Sequence, residues 1–238
     1  LSRAKGIVAI SEFGKKFLYD EQLVSEDVSL SVIHCGIPIQ TNTCQEKRLH
    51  NGFSKTLLSV GRLIEKKGFP YLIKAMRNLV HRDPEVKLKI VGSGPLEGYL
   101  LDLINEMKLS DNIELCGALT NQEVFDCLQS CDVFILPCIQ DRYGDMDGIP
   151  VSLMEAMSCG TPVVSTELSG IPELIINEEN GLLVPSADSE SLEVAISRLL
   201  RDQDFARTLS ENGKEFVMNN FNIQTQTRKL LNFFEEIV

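Results

Sequence analysis

This sequence is short of positive charge. Its 23 lysines and arginines face 34 aspartates and glutamates, a net charge of −11, and its isoelectric point is near 4.8. Nucleic acid and anionic lipid both require a basic surface, so neither is an expected partner. Any anion bound here has to be held by a few local donors. No apolar run is long enough to cross a bilayer, and the opening residues Leu1-Ser2-Arg3-Ala4 show no signal peptide and read like the inside of a domain. Histidine is scarce too. His34 precedes Cys35-Gly36-Ile37-Pro38 at a hinge, while His50 and His81 stand in polar surroundings, so no nucleophilic triad is assembled. The Gly-X-Ser-X-Gly elbow of hydrolases is missing as well. The seven cysteines are an odd number, most in apolar or helical settings such as Cys116 and Cys138, which fits reduced thiols packed in a cytoplasmic protein. Cys127 and Cys131 are four apart, but no histidine or second pair completes a zinc pattern. Repeats and low-complexity segments are absent.

Apolar residues are plentiful, 43% of 238, enough for one substantial core and part of a second lobe. From Thr56 onward, short β-branched and leucine-rich runs alternate with amphipathic stretches, the pattern of a parallel sheet covered on both faces. The pattern predicts strands near 56–60, 86–91, 112–116, 132–136, 162–166 and 181–184, and helices near 69–81, 96–108, 121–130, 151–158 and 171–177. Thr120 with Glu123 forms a capping box, and Gly160-Thr161-Pro162 stops a helix. Right-handed crossovers make this a doubly wound α/β domain. Before it, 6–10 and 29–33 read as strands and Ser11 as a helix cap; residues 40–54 are polar and aperiodic, as a connection should be. After it come helical stretches near 189–200 and 204–218, and a final helix beyond Phe221-Asn222-Ile223.

The most informative segment is Asp147-Gly148-Ile149-Pro150-Val151-Ser152-Leu153-Met154-Glu155. It sets one acid before a helix and a second on it. Pro150 has no N–H to lose at a first helical position and Gly148 lets backbone approach a ligand, so the helix is expected to open with free N–H groups that attract phosphate. Glu155, about a turn and a half further in, suits paired ribose hydroxyls better than phosphate.

These residues, followed by Ala-Met-Ser-Cys-Gly-Thr-Pro-Val-Val, resemble the signature of the retaining group 1 (family 4) glycosyltransferases, which pair two Rossmann-like domains in the GT-B fold. Ser59-Val60-Gly61-Arg62-Leu63-Ile64-Glu65-Lys66-Lys67-Gly68 is similar to the family's phosphate-binding segment. Val91-Gly92-Ser93-Gly94-Pro95-Leu96 is similar to its second glycine loop, and Asn180-Gly181-Leu182-Leu183-Val184-Pro185 to its late strand. The resemblance implies that 1–39 end an N-terminal acceptor domain, 40–54 connect, 55–220 form the nucleotide-sugar-binding domain, and 221–238 cross back. In that arrangement Leu230, Leu231, Phe233 and Phe234 are expected to be partly orphaned.

Each motif has a plainer reading. Arg62 and Lys67 suit a diphosphate, but the run 65–67 also reads as solvated surface with Glu65 partly neutralising Lys66 and Lys67, and Lys66 is expected to be surface only. Gly92 and Gly94 face either a ligand or simply a tight turn. They do not make a dinucleotide fingerprint, because the third glycine is one residue late and no acid ends the next strand. Asp145-Met146-Asp147 copies the acidic motif of a metal-dependent transferase fold, and 143–155 imitates a calcium loop with Tyr143 at the first ligand position and Pro150 inside; no metal is expected. Asp147 stands where the family has glutamate, one methylene longer, which puts its contact with the donor sugar in question.

The sequence thus implies the donor half of a retaining glycosyltransferase, moving a sugar from a nucleoside-diphosphate sugar to an acceptor in polysaccharide or glycoconjugate synthesis. Arg62, Lys67, Asp147 and Glu155 are the expected working side chains; Gly61, Gly92, Gly94, Gly148, Ile149 and Pro150 shape the pocket. No cofactor is expected. Acceptor binding and any peripheral membrane contact fall to the missing N-terminal domain, and the piece alone is expected to be inactive. A nucleotide-binding regulatory or assembly module and a sugar-nucleotide epimerase are the alternatives.

Overall fold

The computed structural model describes residues 4–25, 28–39 and 55–237. The polar stretch 40–54, with Cys44 and His50, lies outside the described residues. The chain enters through β1 (Gly6–Ala9), α1 (Glu12–Asp20) and β2 (Ser29–Val32), the two strands pairing in parallel from Gly6–Ser29 to Ala9–Val32. Ser11 caps α1 as its sequence position suggested: its Oγ accepts from the Gly14 N–H at 2.9 Å.

The main sheet is built from β3 (Lys55–Val60), α2 (Phe69–Arg82), β4 (Val86–Val91), α3 (Glu97–Glu106), β5 (Ile113–Gly117), α4 (Asn121–Ser130), β6 (Val133–Leu136), α5 (Val151–Ser158), β7 (Val163–Thr166), α6 (Ile171–Leu174) and β8 (Leu182–Val184), followed by α7 (Ser189–Arg201), α8 (Gln203–Asn220) and α9 (Ile223–Ile237). Six strands lie in the order β5-β4-β3-β6-β7-β8, every pair parallel. The chain therefore starts at the centre, winds outward through β4 and β5, then crosses back and winds the other way. The reversal falls between β3 and β6. There the loops leaving the carboxyl ends of two neighbouring strands diverge to opposite faces and open a crevice, the usual place for a ligand in such sheets.

Strand periodicity explains the two-sided core. Leu57, Val133, Ile135, Val164 and Leu182 pack on the face covered by α2, α3 and α7, while their neighbours Leu58, Phe134, Leu136, Val163 and Leu183 pack on the face of α4, α5 and α8. Thr120 and Glu123 form the capping box, with the Glu123 carboxylate 2.8 Å from the Thr120 N–H. Two boundaries move. Pro150 is the cap of α5, extended at ψ 127°, and the helix proper begins at Val151. The helix predicted over 171–177 ends at Leu174, because Ile175 turns extended and the Asn180 side chain takes the Ile176 N–H at 2.7 Å.

α9 returns to the first strands. A side chain on Gly6 would meet the Phe233 ring at 2.7 Å, and Phe233 is buried, so only Leu231 and Phe234 of the expected orphans stand well exposed. Beside that crossing, Ile37 and Asn222 form a parallel bridge, with Ile37 N–H to Phe221 C=O at 2.8 Å and Ile223 N–H to Ile37 C=O at 3.0 Å. The two strands of chain linking the halves of the molecule thus run zipped together. Among the described residues no helix is long and apolar enough to cross a membrane.

Candidate functional site

The site is assembled from the loops after β3, β4 and β6. After β3 the chain runs through Gly61 and Arg62 into a single 3-10 turn, Glu65–Lys67, and Gly68 then opens α2. Gly68 has a left-handed φ of +67°, and a Cβ there would stand 1.8 Å from the Pro137 carbonyl oxygen. No other residue type fits, because backbone occupies the space a side chain needs. This contact presses the Lys66-Lys67 turn against the loop leaving β6, and the switch point is where the two loops meet.

Gly92 is constrained in a similar way. Its φ is +141°, and a Cβ would lie 1.9 Å from the Gly61 carbonyl oxygen. Together with Gly94, which abuts the Leu63 backbone, it lets the loop after β4 dock on the loop after β3, sealed by Leu63 N–H to Ser93 C=O and Leu96 N–H to Leu63 C=O, both 3.0 Å. Close loop packing accounts for both glycines without a ligand.

The Lys67 stem lies across Gly61, 3.3 Å from the point where a side chain on that glycine would begin. Its ammonium reaches Asp147 Oδ2 at 2.7 Å. Asp147 Oδ1 lies 3.6 Å from Lys66 Nζ, which is itself 2.8 Å from Asp145 Oδ2. The hydrogen bond to Asp145 holds Lys66 above the ordinary lysine range against the opposing effect of burial, and the same bond holds the Asp145 carboxyl below its usual value. Lys66 is therefore no bare surface lysine; its side chain is only 20% exposed. Glu65 turns away from both lysines to Arg142 at 2.7 Å. Behind Asp147, burial, and then the Asp147 charge, push the Cys138 thiol far upward; its Sγ lies 3.5 Å from Asp147 Oδ2. Asp141 accepts the N–H groups of Tyr143 at 2.8 Å and Asp145 at 2.9 Å, closing the acidic loop on itself. Among the described residues no three histidine, cysteine or acidic side chains are grouped to hold a metal ion.

Arg62 is exposed, and among the described residues its guanidinium has no hydrogen bond or ion pair. The N–H groups of Val151 and Ser152, opening α5, likewise have no partner there. Ile149 is buried against Gly170, and a side chain on Gly148 would meet, among the described residues, Ile10 Cδ1 at 3.5 Å, so the space beside that glycine is nearly open. Half-buried Glu155, one turn into α5, has a carboxylate with no partner among the described residues, and burial alone pushes its pKa up.

The structure also joins residues the sequence did not single out. Glu173, on α6, caps α1 from across the molecule: its carboxylate accepts the N–H groups of Glu12 at 2.8 Å and Phe13 at 3.0 Å and lies 3.0 Å from His34 Nε2. The His34 ring also packs on Phe221, 5.1 Å between centroids. Partners 161 positions apart carry no local signal.

The sequence profile of the family "Glycosyl transferases group 1" matches residues 41–216. The chain belongs to the group 1 glycosyltransferases. WcaL of Salmonella typhimurium, named for colanic acid biosynthesis, is 41% identical over 187 residues, 78% of this chain and 46% of that protein. The amylovoran biosynthesis glycosyltransferase AmsK of Erwinia amylovora is 38% identical over 181 residues, 76% of the chain and 44% of its own length. This group 1 chain thus spans somewhat under half the length of these curated relatives. Its fold is that of Anabaena HepE, crystallised with UDP-glucose, with a TM-score of 0.82 at 21% identity, covering 98% of this chain and 64% of that one. The parallel, doubly wound sheet is Rossmann-like, and its structural neighbours are GT-B glycosyltransferases.

Proposed function

We propose that this group 1 glycosyltransferase chain is the donor-binding half of a retaining, metal-independent enzyme that moves a sugar from a nucleoside-diphosphate sugar in polysaccharide or glycoconjugate synthesis. On this reading 55–220 form the donor domain, 40–54 the connection, and 1–39 and 221–238 belong to the side of a cytoplasmic acceptor domain. The carrying observation is the placement, among the described residues, of unsatisfied donors at the switch point: the Arg62 guanidinium without a partner there and the open first turn of α5, with a Glu155 carboxylate on that helix that likewise has none there. A diphosphate matches the first two and ribose hydroxyls match the third. The names of WcaL and AmsK, both tied to bacterial polysaccharides, support that setting.

In the reaction the sugar–phosphate bond breaks and the leaving diphosphate gains negative charge. Arg62, Lys67 and the α5 N-terminus stabilise that charge where it develops. The acceptor hydroxyl attacks from the face the diphosphate leaves, guided by groups of the other domain. Asp147, held on Lys67, shapes the sugar end of the pocket together with the Gly148-Ile149-Pro150 backbone.

Calorimetry of UDP, GDP and ADP against the full-length protein tests the reading. At least one diphosphate binds and its nucleoside barely does, and Arg62→Ala costs about 2 kcal/mol of that binding, the order expected for one charge-assisted contact. Equal affinity in the variant removes Arg62 from the site.

A further inference from the structure

We propose that Lys66 is the positioning residue of the phosphate clamp: it anchors the acidic loop 141–147 and keeps the Asp147 carboxylate compensated while Lys67 turns to an incoming diphosphate. This rests on the donor-binding reading and extends it to a side chain that the sequence pattern leaves on the surface.

Two lysines and two carboxylates form the network, and Asp147 sits at its centre, with Oδ2 on Lys67 at 2.7 Å and Oδ1 near Lys66 at 3.6 Å. Before a ligand arrives, Lys67 is therefore already engaged by an internal anion. A diphosphate drawing on the Lys67 ammonium must share it with Asp147, and the two negative groups then face each other across one cation. In a partly desolvated crevice that repulsion is weakly screened. Lys66 is the second cation within reach of Asp147, and it is tied on its other side to Asp145 at 2.8 Å.

Lys66 is also fixed where it stands. Its carbonyl accepts the Ile139 N–H at 2.9 Å, at the root of the same loop, and its neighbour Glu65 holds Arg142 at 2.7 Å near the loop's tip. The turn 65–67 thus grips the loop at its root, tip and end. Removing the Lys66 charge loosens the loop and leaves two acids competing for Lys67. A direct phosphate ligand would behave differently, because neutralising Asp147 would not replace a lost contact.

Hydrogen exchange and calorimetry on the full-length protein test this. Without any ligand, Lys66→Met speeds amide exchange across 139–147, and Lys66→Arg does not. Unchanged exchange in Lys66→Met overturns the anchoring role. With UDP and with inorganic pyrophosphate as probes, Lys66→Met weakens binding about tenfold, Asp147→Asn placed in that background restores most of the loss, and Asp145→Asn alone weakens neither probe. A loss that persists undiminished in Lys66→Met with Asp147→Asn overturns the proposal and makes Lys66 a direct ligand. Should the wild type bind neither probe nor GDP nor ADP, the donor reading falls, while the exchange experiment still decides whether Lys66 positions the loop.

Discussion

Glu155 and Asp147 are two acids on either side of one helix start, and their surroundings set them apart. Asp147 is satisfied by Lys67, whereas the Glu155 carboxylate is half-buried, has no partner among the described residues, and has its pKa raised by burial. An acid whose folded pKa lies above its unfolded value favours the folded state most at low pH. That contribution is lost as pH rises from the unfolded value, about 4.3, through the raised one. At neutral pH the charge is therefore a net cost to the empty protein, which the proposed donor-binding reading assigns to a position where a ligand supplies donors. Glu155→Gln is expected to leave the melting temperature of the ligand-free protein equal or higher at pH 7 while weakening nucleotide binding. Its loss should overlap, rather than add to, the loss from a 2′-deoxy donor, because both remove the same hydrogen bonds. Simple additivity, measured by calorimetry on the four combinations, places the ribose elsewhere.

At the scale of elements, the contact between α6 and α1 depends on pH. Burial acts to raise the Glu173 pKa, but hydrogen bonds from the Phe13 and Glu12 N–H groups, and then from His34, bring it below the ordinary glutamate value. A depressed carboxyl contributes stability that is fully present above the unfolded pKa, about 4.3, and is lost as pH falls through the lower folded value. Acidification below about pH 4 should free the start of α1 before the main sheet opens, read as faster exchange of the Glu12 and Phe13 amides. Glu173→Ala, which takes the partner from both N–H groups and leaves Ser11 capping Gly14 only, is expected to cost about 1 to 2 kcal/mol of stability at pH 7. It should also abolish that acid-dependent step. Cysteine reactivity separates by element too: Cys35 is exposed and should react with alkylating reagents, while Cys138, buried with its pKa pushed far up, should not until the protein unfolds.

For the whole molecule, a net charge of −11 repels anions at long range, so the donor-binding reading requires a compact cluster of donors to capture a nucleoside diphosphate. The acids of 141–147 are already engaged by Lys66, Lys67 and the loop's own N–H groups, so on the proposed reading the diphosphate is met by Arg62, the α5 start and a Lys67 shared with Asp147. Diphosphate affinity is accordingly expected to change less than twofold on adding EDTA, with Arg62→Ala measured alongside as the sensitive control. A tenfold drop on chelation, restored by magnesium or manganese, would falsify the metal-free mechanism and return Asp145 and Asp147 to metal binding.

The sequence by itself determined the strands, most helices and the layering, because those are set by neighbours a few residues apart. Period-two runs such as Val133-Phe134-Ile135-Leu136 divide between two cores, and Thr120 with Glu123 closes its own cap. It also carried the family, through motifs that keep their order and spacing, and it marked Arg62, Lys67 and Glu155 as side chains suited to a nucleotide. Period alone misplaced one end, where a side chain four residues on competed with the helix: Asn180 took the Ile176 N–H and cut short the helix expected to run on to 177. Only the tertiary structure decided which charges meet. Lys66 and Asp145 are 79 positions apart, and Glu173 and Glu12 are 161 apart. A Coulombic pair depends on distance in space, and here that distance is set by the reversal of winding between β3 and β6, which lays the 65–67 turn on the 139–147 loop.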